Sequence, residues 1–214
     1  MHALVARYSQ APYFVKYWEI GNEPDIDPGL VSGDSEIGCW GNAQDAYYGG
    51  GYYADMLKVV YPQIKSADLS AQVMVGGLLL DCDPNHPPSG KDCKPARFLE
   101  GVLRQGGGPY FDGVGIHSYD AYTGVLGAYA TLNWNTASTS TSGPTMAVIA
   151  KAGYVRGLLA AYGVNGKFIA NNESGLGWNV STVNATFETT KAYYVAEIFG
   201  TVLAEHIVAN VWYS

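Results

Sequence analysis

Two hydrophobic rhythms alternate along this chain. Short apolar runs at 14–21, 72–80, 112–118, 167–172 and 206–213 are bounded by Gly, Pro, Asn or Asp. Runs of that length, apolar on successive positions, predict strands covered on both faces. Between them apolar residues return every three or four positions, the spacing of one helix face. Tyr53, Leu57, Val60 and Ile64 make one such stripe, and Phe98, Val102 and Leu103 begin another. Met146, Ile149, Val155, Leu158, Leu159 and Tyr162 give a third; Phe187, Tyr194, Ile198, Val202 and Leu203 give a fourth. A short helical segment at 2–9 precedes the first strand. Strand and helix in alternation predict right-handed βαβ units on a parallel sheet, an α/β protein. No break in composition divides the chain, which predicts one domain over residues 1–214.

The loops after the strands are long, at 24–50, 81–94, 119–143 and 174–185, and those before the strands are short. In parallel α/β architectures that asymmetry marks the carboxyl-end face as the working face. Loop 119–143 is rich in Thr, Ser, Asn and Gly, a composition that predicts flexibility. The sequons Asn179-Val180-Ser181 and Asn184-Ala185-Thr186 fall in a region so rich in Asn and Thr that chance accounts for both. Two glutamates stand just past strand-like runs: Glu23 after 14–21 and Glu173 after 167–172. A parallel sheet opens both ends on one face, so these carboxylates can meet. Two facing carboxylates are the minimal equipment for breaking a glycosidic bond.

Composition narrows the alternatives. With 214 residues and 48% hydrophobic positions the chain can bury a sizeable core. Its longest apolar stretch, Val73 to Leu80, is too short to span a bilayer. The first ten residues lack the pattern of a signal peptide, so the protein is expected to stay inside the cell unless an export signal lies outside this sequence. A net charge of −7 without a Lys/Arg cluster argues against nucleic acid. Aromatic residues favour rings with a polar handle, 17 Tyr and 5 Trp against 6 Phe, which suits sugar-binding surfaces as well as ordinary packing. No Cys-x-x-Cys or paired His spacing is present, so no metal and no cofactor is expected. Cys82 and Cys93 bracket a Pro-rich loop that a disulfide could staple, leaving Cys39 over. Asp81-Cys82-Asp83-Pro84-Asn85 faintly echoes a calcium loop, with His86 where the sharp turn wants Gly.

The segment Tyr17-Trp18-Glu19-Ile20-Gly21-Asn22-Glu23-Pro24-Asp25 resembles the fourth-strand motif of the clan A glycoside hydrolases, (β/α)8 barrels whose catalytic glutamates end strands four and seven. Other segments keep step with that template. Gly113-Val114-Gly115-Ile116-His117-Ser118-Tyr119 resembles strand six, Asn172-Glu173-Ser174-Gly175 strand seven, and Val208-Ala209-Asn210-Val211-Trp212-Tyr213-Ser214 strand eight. The resemblance implies a retaining hydrolase of a β-linked polysaccharide or oligosaccharide, with Glu173 as nucleophile and Glu23 as acid/base. It further implies that Asn22 meets the sugar 2-hydroxyl, that Tyr119 orients Glu173, and that His117 and Trp212 line the sugar subsite. Trp18 and Glu19 are expected to be structural, Glu19 pairing with an Arg or Lys inside the barrel. Asp25, Asp120 and Tyr122 belong to the same face and are expected to be within reach of substrate.

Chemistry asks for a close pair. A retaining glycosidase holds its carboxyl groups about 5–5.5 Å apart, one attacking the anomeric carbon and one protonating the leaving oxygen. Two such carboxylates repel, so the pair keeps a proton that can be given to the leaving group. Counted from Glu23 on strand four, this sequence holds strands four to eight, a partial (β/α)8 barrel of about five parallel strands with the first three βα units missing. Such a sheet cannot close by itself. Its open edges predict a homo-oligomer, a homodimer being the simplest. Alternatives are a piece of a longer enzyme, an inactive relative that binds carbohydrate or serves as a scaffold, and a metal-dependent hydrolase built on Asp81, Asp83 and His86.

Overall fold

The computed structural model describes residues 1–27, 30–31, 37–134, 146–178 and 184–213. The sequon at Asn179, and parts of the long loops 24–50, 119–143 and 174–185, lie outside the described residues. Helix α1 (His2–Tyr8) leads into strand β1 (Tyr17–Asn22), then α2 (Gly50–Ala67) and β2 (Gln72–Leu78). Next come α3 (Phe98–Arg104), β3 (Gly113–Tyr122) and the short β4 (Tyr129–Thr131). Helix α4 (Ala147–Ala161), β5 (Phe168–Trp178), α5 (Ala185–Ala204) and β6 (Asn210–Trp212) complete the order. The sheet runs β1-β2-β3-β5-β6, parallel throughout, with β4 antiparallel on β3. This is the α/β half-barrel that the alternation predicts.

Helices cover one face of the sheet. Leu57, Phe98, Val102, Val155 and Ile198 from successive helices bury their side chains against Val75, Val114, Ile116 and Ile169 of the strands. A smaller cluster of Val5, Ile64, Ala71 and Val73 docks α1 on α2 and the start of β2. Tyr53 of α2 locks two strands together: its hydroxyl donates to Ile20 O at 2.5 Å and accepts from Gly76 N at 3.1 Å. Leu203, expected on the apolar stripe of α5, is exposed; it falls in the last turn, where the neighbouring Val202 takes the buried position.

β3 and β5 run further than their apolar content predicts. They pair beyond the polar segments at which the sequence pattern stops, with Tyr119 opposite Gly175 and Asp120 opposite Leu176. The first part of loop 119–143 is therefore strand, and β4 folds back on it. Cys82 and Cys93 are joined across the Pro-rich loop, Cα atoms 5.4 Å apart, while Cys39 is free and exposed. The calcium-like run turns its carboxylates to its own chain. Asp81 takes Lys91 at 2.6 Å, and Asp83 takes His86 at 3.0 Å and the Asn85 N–H at 2.9 Å. No helix among the described residues is long and apolar enough to cross a membrane.

The other face of the sheet is the concave, inner one, where glycines let large side chains lie flat. A Cβ on Gly77 would stand 2.1 Å from His117 Nε2, and one on Gly115 would stand 2.9 Å from Asn172 Oδ1. Gly175 lies in the same way beneath the Tyr119 ring, 2.8 Å from where its Cβ would be. Glycine in a strand marks close approach, and here the approach is by the residues of the candidate site.

Candidate active site

Strands β1, β3 and β5 bring three side chains to one point: Glu23 just past the end of β1, His117 within β3, and Glu173 within β5 rather than past its end as the apolar run suggests. One carboxylate oxygen of Glu23, one of Glu173 and a ring nitrogen of His117 lie within 4.8 Å of one another. His117, 1% exposed, places Nδ1 2.8 Å from Glu23 Oε1 and 3.8 Å from Glu173 Oε1. The two glutamate side chains are 12% and 25% exposed, enough for a substrate to reach each. These are also the one set of three His, Cys, Asp or Glu donors among the described residues close enough to hold a metal ion.

Backbone geometry aims Glu23. Its φ is 43°, in the left-handed region that side chains other than glycine rarely adopt. Its N–H donates to Gly77 O at 2.9 Å, and Ile26 N–H closes a turn on its carbonyl at 3.0 Å. Glu173 follows an irregularity in the pairing of β3 with β5, between Ile116 and His117, which turns its side chain toward the site. The Tyr119 hydroxyl donates to Glu173 Oε1. Burial first, then that hydrogen bond to Glu173, pushes the Tyr119 phenol well above its ordinary range, so it stays protonated and donates.

Below this level Glu19 reaches inward from β1. Its carboxylate accepts from Gly77 N–H and from Asn172 Nδ2, each at 2.5 Å. The expected Arg or Lys partner is thus replaced by backbone and amide donors. Asn22 ends β1 beside Gly77, exposed and without a side-chain hydrogen bond among the described residues. Trp212 pairs with Ser174, next to Glu173 in sequence. It packs on Tyr194 of α5, ring centroids 6.1 Å apart, and with Tyr119, Phe187 and Tyr213 lines a neighbouring cavity of about 300 Å³.

Three residues expected to face substrate are instead buried. Asp25 accepts Leu79 N–H at 2.8 Å and Leu80 N–H at 2.9 Å. Asp120 accepts from Thr131 Oγ1 at 2.7 Å, Tyr194 OH at 2.9 Å and Ala147 N at 3.1 Å. Tyr122 packs on Phe187 at 5.5 Å between ring centroids. The apolar positions around them offer contacts that loop residues at a rim would not have. Sequence reading also missed Lys151, whose buried ammonium donates to Leu79 O at 2.6 Å and to His117 O at 2.8 Å. Its signal is present in the sequence: one lysine among the apolar positions Val148, Ala152 and Val155 of a helix. Gly76-Gly77 inside a strand was the matching signal for the His117 contact.

No family model and no curated protein matches the sequence. Solved structures do match in fold. A family 39 glycoside hydrolase from Bacteroides cellulosilyticus WH2 superposes with a TM-score of 0.57 at 23% identity, over 99% of this chain and 36% of that one. A glucosidase from Croceicoccus marinus gives a TM-score of 0.61 at 13% identity, over 99% and 36%. A family 44 endoglucanase from Clostridium thermocellum gives 0.55 at 14%, over 99% and 45%. The chain spans less than half the length of each of these structures. It has the fold of part of a (β/α)8 barrel, of the kind that glycoside hydrolases carry.

Proposed function

We propose that the chain is a retaining glycoside hydrolase acting on a β-linked polysaccharide or oligosaccharide, residues 1–214 forming a single catalytic unit of partial-barrel form. One observation carries the reading: carboxylate oxygens of Glu23, just past β1, and Glu173, within β5, lie within 4.8 Å of each other. That spacing suits a retaining pair, since inverting enzymes hold their carboxyls about 6.5–9.5 Å apart to admit a water.

Glu173 attacks the anomeric carbon as Glu23 gives its proton to the glycosidic oxygen, so the C–O bond breaks and a glycosyl ester forms on Glu173. Glu23, now a carboxylate, takes a proton from water, and the water oxygen displaces Glu173 from the sugar. Tyr119 holds the attacking carboxylate in line through its hydroxyl. His117 holds Glu23 from the buried side. Asn22, exposed at the end of β1, would meet the sugar 2-hydroxyl, and Trp212 with Tyr213 would offer rings from the β6 side.

Hydrolysis of a panel of aryl β-glycosides tests this. Glu173→Gln and Glu23→Gln are each expected to lower kcat by about 10³-fold or more. Activity surviving both substitutions puts the chemistry elsewhere. A second reading, carbohydrate binding without turnover, draws on the short span of this chain against its structural neighbours, 36% of the first of them. Calorimetry that finds oligosaccharide binding while no product forms would favour it.

A further inference from the structure

Behind the carboxylate pair, a buried lysine and a buried aspartate take no part in the steps above. Lys151 is 5% exposed and Asp25 1%. The last paired residues of β2 and β3 are Leu78 and Ile116, and past them the two strands part. Lys151 Nζ fills the fork, donating to Leu79 O on one side at 2.6 Å and to His117 O on the other at 2.8 Å. Asp25, two residues after Glu23, takes the N–H groups of Leu79 and Leu80 at 2.8 and 2.9 Å. Glu23 at φ 43° and Leu80 at φ 48° stand at the two ends of that clamp, in conformations that persist only where surroundings impose them.

We propose that Asp25 and Lys151 are positioning residues for Glu23 and His117. Asp25 ties the Glu23 turn to the end of β2, Lys151 ties the end of β2 to His117, and His117 returns to Glu23, closing a ring of contacts. The importance of Glu23 rests on the hydrolase reading; the ring itself does not.

Energetics favour a specific role over plain stability. A buried ammonium loses its hydration, and an apolar side chain of similar volume would serve packing as well or better. Burial pushes Lys151 down to about 8, with the Asp25 charge the largest influence working the other way, followed by Asp120, Asp81 and Glu23. Burial likewise pushes Asp25 up to about 6 against the two backbone donors that hold its charge. What the pair supplies, and Met or Leu cannot, is a fixed distance between three backbone segments.

The test reads the ring proton shared between His117 and Glu23 by NMR in the full chain. His117 is 1% exposed, so this proton exchanges slowly with water and gives a signal of its own. In Lys151→Met and in Asp25→Asn the signal is expected to move or vanish while near-UV circular dichroism reports an intact fold. On an aryl glycoside, kcat is expected to fall about tenfold or more with KM changed less than about twofold, the mark of a displaced catalytic group. Folded variants with the His117 signal at its wild-type position overturn the proposal, as does absence of the signal from wild-type protein. Should Lys151→Met not fold, Asp25→Asn decides by the same criterion. Wild-type protein without hydrolytic activity overturns the hydrolase reading and leaves the NMR criterion in force.

Discussion

β2 and β3, in the middle of the sheet, are buried along almost their whole length, whereas β1 alternates between half-buried and exposed and β6 is at most half-buried. The same parallel pairing runs through both, so hydrogen bonding is not the difference. In the middle, helices cover one face and large inner side chains cover the other, each seated on a glycine. At the margins only one side is covered. The candidate pair straddles the two regimes, Glu173 on a central strand and Glu23 on a marginal one. Glu23 therefore needs ties to the centre, and Gly77 O, His117 and Asp25 supply them.

Charge separates the regions most. In the centre, Lys151 titrates at about 8 against an ordinary 10.5, so above about 8 the unfolded chain binds more protons than the folded one. Stability from this group rises with pH across that window. Asp25, raised from 3.8 to about 6, works in the opposite sense: the folded chain holds the extra proton, and stability falls as pH climbs through that range. Each effect is on the order of a few kcal/mol at its plateau. At the margin, Lys16 and Asp68 form an exposed pair at 2.7 Å, which solvent screens. Unfolding followed from pH 8 to 10.5 should show a smaller alkaline gain in Lys151→Met than in wild type, the remaining slope coming from groups such as Lys167, which burial also lowers, and a wild-type profile in Lys16→Met. A gain of undiminished size in Lys151→Met removes the distinction.

Glycine substitutions come next in size. Gly77→Ala puts a methyl group 2.1 Å from His117 Nε2, and a ring packed on both sides cannot yield without moving the site. A loss of about 2–3 kcal/mol is expected in chemical denaturation. Gly21 on β1 has φ +86° and open space where a Cβ would go, so Gly21→Ala carries only the backbone penalty, about 1 kcal/mol. Equal losses would mean that the centre is no tighter than the margin.

Removing one hydroxyl tests the centre more gently. Tyr119→Phe keeps the ring on Gly175 and deletes the donor to Glu173. If the hydrolase reading holds, kcat should fall about 10- to 100-fold, and the thermal midpoint should change little. A fall in stability matched by unchanged kcat would make Tyr119 a packing residue.

The contrast also explains what could be read from sequence. Strand and helix order was legible because buried parallel strands and helix stripes write periodic apolar patterns, and the Trp-Glu-Ile-Gly-Asn-Glu-Pro-Asp run is specific. Strand length was not, because Tyr119-Asp120 and Glu173-Ser174-Gly175 read as loop after the apolar runs yet pair in the sheet. The burial of Asp25 and Asp120 was illegible for a related reason, and Lys151, though marked by its apolar neighbours, gave no sign of its partners. A charge sequence assigns to solvent is satisfied here by backbone groups dozens of residues away, and nothing local announces that partner. Cys82 and Cys93 needed only their spacing and the loop between them.

The smallest effect concerns the margins themselves. Tyr17 on β1 and Val211 on β6 are each more than half exposed, at 59% and 51%, and each belongs to a strand with one neighbour among the described residues. Unpaired backbone beside exposed apolar side chains invites another chain, and charge at such an edge discourages it. We expect wild-type protein at micromolar concentration to sediment as more than a monomer. Tyr17→Lys or Val211→Lys should weaken that association by about tenfold, the equivalent of about 1.4 kcal/mol. Leu203→Lys, at 77% exposure on the far end of α5, should leave it unchanged, because no strand edge is there to be paired. If the helix substitution weakens association and the strand substitutions do not, contact runs through the helical layer, and the open margins are not what draws a second copy.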